Sequence, residues 1–152
     1  MTDPRPIEAN IEIDAPPREV WAVVSDLERM GEWSPQCLRM RVFGPVRLGA
    51  RAVNLNRQGM RVWPSTAKVV RYESQRAIAF RITENRTVWS FELGETSTGT
   101  RVTERRETPD GLSTLSAFST DRLLGGTAEF EEGLQRGVEQ TLRRIKAEVE
   151  RG

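Results

Sequence analysis

Histidine is absent from this chain. That removes the usual general base near neutral pH and the commonest transition-metal ligand. Ser-His-Asp and Cys-His catalysis are therefore excluded within these 152 residues. The single cysteine, Cys37, cannot form an internal disulfide or supply a thiolate cluster for zinc or iron–sulfur. Lysine occurs only at Lys68 and Lys146, so arginine carries nearly all the positive charge. Nothing resembles a basic tail or a Lys/Arg block, and 23 basic against 22 acidic residues leave a formal charge of +1. Nucleic-acid binding usually needs a concentrated positive face, so the expectation is no nucleic-acid partner, a local patch aside. No apolar run approaches the ~20 residues that cross a bilayer, and no integral membrane segment is expected. The opening MTDPRPIEAN lacks the apolar stretch of a secretory signal, which points to a cytoplasmic location. Acid–base chemistry is left to carboxylates, arginine-polarised groups, Tyr72 or the lone thiol.

What remains is a chain 37% hydrophobic and 30% charged, the balance of a soluble globular protein. Its length fits one domain, residues 1–152, with residues 1–6 as a flexible tail. Ile7, Ala9, Ile11 and Ile13 alternate with polar residues, the period of a half-buried strand. Pro16-Pro17 then suits a helix start, and Val20, Trp21, Val24 and Leu27 recur at helical spacing. Ser25-Asp26-Leu27-Glu28 matches a capping box, which predicts a second short helix beginning at Ser25.

From Leu38 the pattern becomes strand-like: Leu38–Phe43, Arg51–Asn56, Val62–Tyr72, Ala77–Thr83, Thr87–Leu93 and Thr100–Glu107, divided by short turn-forming segments. Spacers that short imply antiparallel neighbours, and Pro64 is expected at a strand start or edge. Residues Pro109–Gly126 read as a long loop or lid. Thr127 to Arg151 forms a long helix with Phe130, Leu134, Val138, Thr141, Leu142, Ile145 and Val149 on one arc. One helix cannot cover so many strands laid flat. The expected solution is a curved sheet wrapped around it, with a cavity in the gap.

In this order the segments IEIDAPPREVWAVVSDLERMGEWSPQC, GPVRLGARAVNL, WPSTAKVVRYESQRAIAFRI, TVWSFEL…GTRVTERRE and TLRRIKAEVE resemble the SRPBCC or START-like helix-grip superfamily, specifically its polyketide cyclase/dehydrase-like branch. The resemblance runs from Ile7 to Glu150. It implies an α+β helix-grip fold: about seven curved antiparallel strands around a long C-terminal helix, with two short helices after the first strand. It also implies a deep apolar cavity between sheet and helix. No acid, base or nucleophile travels with the branch, and neither a metal nor an organic cofactor is implied.

Strand parity assigns Met40 and Val42, Val53 and Leu55, Ile78, Phe80 and Ile82, and Trp89, Phe91 and Leu93 to the concave face, and turns Asn54 and Asn56 outward. Such stripes are core by default, and the cavity follows from the fold. Met60 and Trp63 flank a hairpin at the cavity entrance, unless Trp63 simply caps the core edge. Trp33 is a structural anchor that also supplies a cavity wall. Ser34 and Cys37, without a base, read as small packed residues rather than nucleophiles. Glu104 and Arg106 continue the inward parity of Val102; there they hold each other or position a ligand hydroxyl or carboxylate. Solvation near the strand end is the favoured alternative for the pair. On the long helix, Leu134 and Val138 face the cavity, and Gly133 and Gly137 indicate close packing, a bend or room for ligand. Phe118, Leu123 and Leu124 dock over the cavity mouth or pack beneath the loop.

The leading expectation is a protein that binds or transports a hydrophobic or amphipathic small molecule of lipid, polyketide or isoprenoid type. A cofactor-independent cyclase/dehydratase-type enzyme and a toxin–antitoxin or stress-response interaction module are the alternatives. A filled interior favours the module, a purely apolar cavity the carrier, and an inward Arg with Glu or Tyr beside an open pocket the enzyme. Monomer and homodimer both remain open.

Overall fold

The alternation at Ile7–Ile13 forms β1 (Ile7–Ile13), followed by α1 (Pro17–Val24), a 3-10 turn (Leu27–Arg29) and α2 (Met30–Trp33). Six further strands follow: β2 (Cys37–Phe43), β3 (Arg51–Gln58), β4 (Arg61–Glu73), β5 (Ala77–Ile82), β6 (Val88–Glu95) and β7 (Thr100–Glu107). The long helix α3 (Thr127–Arg151) closes the chain. This computed structural model describes residues 6–108 and 127–151, with the side chains of α3 described from residue 131. The expected lid, Pro109–Gly126, and most of the expected N-terminal tail lie outside the described residues.

The seven strands form one antiparallel sheet in the order β1-β7-β6-β5-β4-β3-β2. Consecutive strands from β2 to β7 are hairpin neighbours, as the short spacers require. The long connection through α1 and α2 carries the chain from one sheet edge to the other. Seven strands at ~4.8 Å spacing span about 29 Å, while a helix with its side chains is about 10–12 Å across. α3 therefore covers only part of the sheet. It packs chiefly against β1, with α1, α2 and β7 as its other main neighbours. Leu134, Val138, Thr141, Leu142, Ile145 and Val149 form its buried arc. Gln135 Nε2 and Lys146 Nζ donate to the carbonyls of Glu8 and Glu12, at 3.0 and 2.8 Å. These bonds occupy acceptors along the edge strand β1.

Two local expectations change. Ser25 and Glu28 do not form a capping box. Ser25 Oγ donates back to the Trp21 carbonyl at 2.6 Å, and Glu28 Oε2 accepts the Val42 N–H at 3.0 Å. The glutamate finds a tertiary partner on β2, so the turn at Leu27 begins without a side-chain cap. The parity of β3 is also reversed. Met40 pairs with Asn54 and Val42 with Ala52. Directly opposed residues share a sheet face, so the inward Met40 and Val42 bring Ala52 and Asn54 inward with them. Val53 and Leu55 consequently face out, 39% and 40% exposed.

Pro64 lies within β4, but β4 pairs with β5 only from Ala67 onward. The N–H of Thr66, two residues on and of the same parity, points past the end of β5 to Glu84 Oε1 at 2.8 Å. The missing N–H of Pro64 therefore falls on a local edge, where no strand needs it.

Gly31 lets α2 lie directly against β2. A Cβ there would fall under 3.0 Å from the Leu38 carbonyl oxygen, a backbone atom that cannot rotate away. Gly31→Ala is expected to lower unfolding free energy by about 1–3 kcal/mol, the usual cost of overpacking. Urea denaturation of the two proteins measures it.

Candidate functional site

The part of the sheet that α3 leaves uncovered borders a cavity of about 140 Å³. Met30, Ser34, Gln36, Cys37 and Met40 form the wall from α2 and β2. Asn54, Asn56 and Gln58 of β3 and Trp63, Pro64 and Ser65 of β4 form the next. Phe80, Ile82 and Trp89 line it from β5 and β6, with Glu84 and Asn85 between those strands. Glu104 and Arg106 enter from β7, and Leu134 closes it from α3.

The sheet register explains the chemistry of the inner end. Phe80 stands opposite Trp89, and Trp89 opposite Arg106, which pairs with Ile7. One step along, Ile78, Phe91, Glu104 and Ala9 form the adjacent row. Two ionisable groups therefore sit among aromatic and aliphatic neighbours. Glu104 is 4% exposed and Arg106 6%, so the reading that left them solvated at the strand end is overturned. The strand continues past them and apolar cross-strand neighbours flank both.

Burial pushes the Glu104 carboxyl well above the ordinary range, and no charge of opposite sign counteracts it among the described residues. Its Oε1 has no hydrogen-bond partner among the described residues. Burial thus favours the neutral, protonated form of Glu104 over the carboxylate. Burial also lowers the Arg106 guanidinium to about 10, which leaves it cationic near neutrality. Its carbon lies 6.0 Å from the Trp89 ring centre. No ion pair joins Arg106 to Glu104 among the described residues, so the two do not hold each other there.

The reversed parity of β3 adds polar groups that sequence reasoning turned outward. Asn54 Nδ2 donates to Ser65 Oγ at 3.2 Å, and Asn56 Nδ2 donates to the same oxygen at 2.8 Å. Asn54 Oδ1 is buried with no donor within reach among the described residues. The signal lay in the pairing with β2: once Met40 is inward, its partner Asn54 must be as well.

The remaining candidates divide. Met40, Trp63, Phe80, Trp89, Glu104, Arg106 and Leu134 come together around the cavity. Phe91 and Val138 are fully enclosed in the core rather than on the cavity surface. Leu55 faces the opposite side of the sheet, and Met60, at the tip of the β3–β4 hairpin, is 99% exposed. Trp33 is buried at 3% and lies off the cavity wall, where the Arg29 guanidinium stacks on it at 4.7 Å. Its carbonyl accepts from Arg144 Nη1 at 3.3 Å, which makes it an anchor between α2 and α3. Phe118, Leu123 and Leu124 lie outside the described residues. Gly137 packs so closely on Gln36 that a Cβ would collide with that side chain, and Gln36 Nε2 donates to the Gly133 carbonyl at 3.3 Å. Burial raises the Cys37 thiol to about 11, so it carries little thiolate. No group of three or more acidic or thiol side chains among the described residues is placed to hold a metal ion.

Residues 5–150 match the model of a family described as "Polyketide cyclase / dehydrase and lipid transport". The chain belongs to this family. Among solved structures, the family fold is shared with the Polyketide_cyc-like protein Cgl2372 from Corynebacterium glutamicum. That protein is 27% identical with a TM-score of 0.63, over 95% of this chain and 91% of that one. TTHA0849 from Thermus thermophilus gives a TM-score of 0.75 at 17% identity, over 95% and 97% of the two chains. The di-domain ARO/CYC StfQ of the steffimycin biosynthetic pathway gives 0.74 at 13% identity, over 96% of this chain and 50% of that one. None of the curated proteins compared matches this chain. Among the described residues no helix is long and apolar enough to cross a membrane.

Two titrations test the cavity's electrostatics. Below the ordinary glutamate value of about 4.3, Glu104 is protonated folded or unfolded and contributes no pH dependence. Above it the unfolded chain releases the proton while the fold retains it, so stability falls as pH rises toward the raised value. Relative to the native protein, Glu104→Gln is expected to gain in urea midpoint from about pH 5 upward. A constant difference across pH 4–8 would contradict the assignment. Alkylation of Cys37 by iodoacetamide should likewise rise with an inflection near 11, in place of the usual ~8.5.

Proposed function

We propose that this protein binds an amphipathic small molecule with an oxygen-bearing end, of lipid or polyketide type, held by Glu104, Arg106 and Asn54. The observation that carries this reading is the set of buried polar groups without partners beside an unfilled space. Glu104 Oε1 and Asn54 Oδ1 have no partner among the described residues. A buried polar atom left unpaired costs about 1–3 kcal/mol. A ligand carbonyl would accept from the protonated Glu104, a ligand hydroxyl would donate to Asn54, and a carboxylate would pair with Arg106. Phe80, Ile82, Trp63 and Trp89 supply the apolar and aromatic wall for the rest. The cavity of about 140 Å³ is smaller than the ~300 Å³ of typical ligand pockets. It therefore receives one ring or chain end, with the remainder of a larger ligand in the mouth.

One observation favours a second reading, the cyclase/dehydratase-type enzyme. A carboxyl group that burial shifts toward its neutral form and a cationic guanidinium on one strand face are suited to protonating a leaving oxygen and polarising a carbonyl. The two readings separate on Glu104→Gln, which keeps a hydrogen-bond donor but has no proton to give. A binding protein would retain most of its affinity, whereas an enzyme would lose turnover with affinity kept.

Calorimetric titration with 2-naphthoate and 2-naphthol tests the polar end, since the two share a ring and differ in charge. Arg106→Met should weaken 2-naphthoate about tenfold or more, the effect of losing one charged hydrogen bond, and 2-naphthol much less. If neither compound binds, and native mass spectrometry of gently purified protein shows no retained ligand, the binding reading fails.

A further inference from the structure

Charge is unevenly distributed along this nearly neutral chain. Between Glu32 and Glu73 there are eight Arg or Lys residues and no Asp or Glu. The rest of the chain holds fifteen basic residues against all twenty-two acidic ones. The acid-free stretch contains β2, β3 and most of β4, three neighbouring strands at one side of the sheet.

The register places five of these cations on the outer face, interleaved with exposed apolar side chains. Phe43, Arg51 and Lys68 form one row, Arg41, Val53 and Thr66 the next, then Arg39 beside Leu55, then Arg57 beside Val62. Phe43 is 62% exposed and Val62 53%, and the Gly59-Met60 turn ends this face with a wholly exposed methionine. Of the eight cations, Arg71 alone makes an ion pair among the described residues, with Glu73 and Glu92. The outer face of β1 and β7 is different: there Arg101 pairs with Glu12 and Arg105 with Glu8. Edge protection does not account for the pattern, because it needs charge only on β2 and allows either sign.

We propose that the outer face of β2–β4, with the turn at Met60 as its tip, docks on the surface of an anionic lipid bilayer. Such a surface offers negative headgroups to the arginines and an apolar boundary to Phe43, Val62 and Met60 at the same time. A nucleic-acid backbone would satisfy the cations and leave those apolar side chains in water. The same hairpin carries Gln58 and Trp63 at the cavity wall, so the docked tip adjoins the cavity-lining part of β3 and β4. The charge and exposure of this face do not depend on what the cavity takes.

Cosedimentation with vesicles tests it, comparing equal parts phosphatidylglycerol and phosphatidylcholine with phosphatidylcholine alone. The full chain should bind the anionic vesicles selectively and release from them as salt rises. Arg41→Gln and Lys68→Gln should each lower partitioning about fivefold, and Met60→Asp should lower it as well. Arg101→Gln, on the ion-paired half of the sheet, should leave it unchanged, with circular dichroism confirming each fold. Equal binding to both vesicle types, no binding, indifference to Arg41→Gln and Lys68→Gln, or preference for duplex DNA over vesicles would each overturn the proposal. Repeating the assay with Arg106→Met keeps docking and cavity binding as separate outcomes.

Discussion

A helix about 10–12 Å across cannot cover a sheet about 29 Å wide, and the rest of this molecule is arranged around that mismatch. α3 is committed to β1, where its apolar arc is buried and its Gln135 and Lys146 occupy edge carbonyls. α1 and α2 extend the cover but leave part of the strand surface from β3 to β7 facing a gap. Closing that gap with larger side chains would give a conventional core. Here it is lined instead by Asn54, Asn56, Ser65, Glu104 and Arg106 among aromatic residues.

That lining is a poor choice for stability alone. A glutamate oxygen and an asparagine oxygen are each held out of water without a partner among the described residues. Buried polar groups of this kind concentrate where a site has work to do. The aromatic row of Phe80 and Trp89 makes the cost higher by excluding water from Arg106. Membership in a family that spans polyketide cyclases, dehydrases and lipid transport agrees with a cavity that combines apolar and aromatic walls with buried polar groups.

The strands β2–β4 have two differently specialised faces. The inner residues of β3 are small or polar, and the outer face of the three strands carries Phe43, Val53, Leu55 and Val62 between cations. Hydrophobicity by itself therefore points the wrong way for β3. A reading that assigns the apolar residues inward inverts the strand, because a one-residue change of phase exchanges the two faces completely. Where the outer face is polar and charged and the inner one apolar, as on β1, the same reasoning holds.

The order of elements, the antiparallel connections, the long C-terminal helix and the family were legible in the sequence because each rests on local periodicity or on an ordered series of segments. The lack of histidine likewise rules out Ser-His-Asp and Cys-His catalysis within this chain from sequence alone. Tertiary structure alone decided the phase of β3 and whether Glu104 and Arg106 meet water. It also decided that Glu28 bonds to β2 rather than capping its own turn, that Trp33 anchors helices instead of lining the cavity, and that most of the cations between Glu32 and Glu73 share one face. These depend on which atoms from distant segments come within a few ångströms of each other, and sequence spacing does not encode that distance.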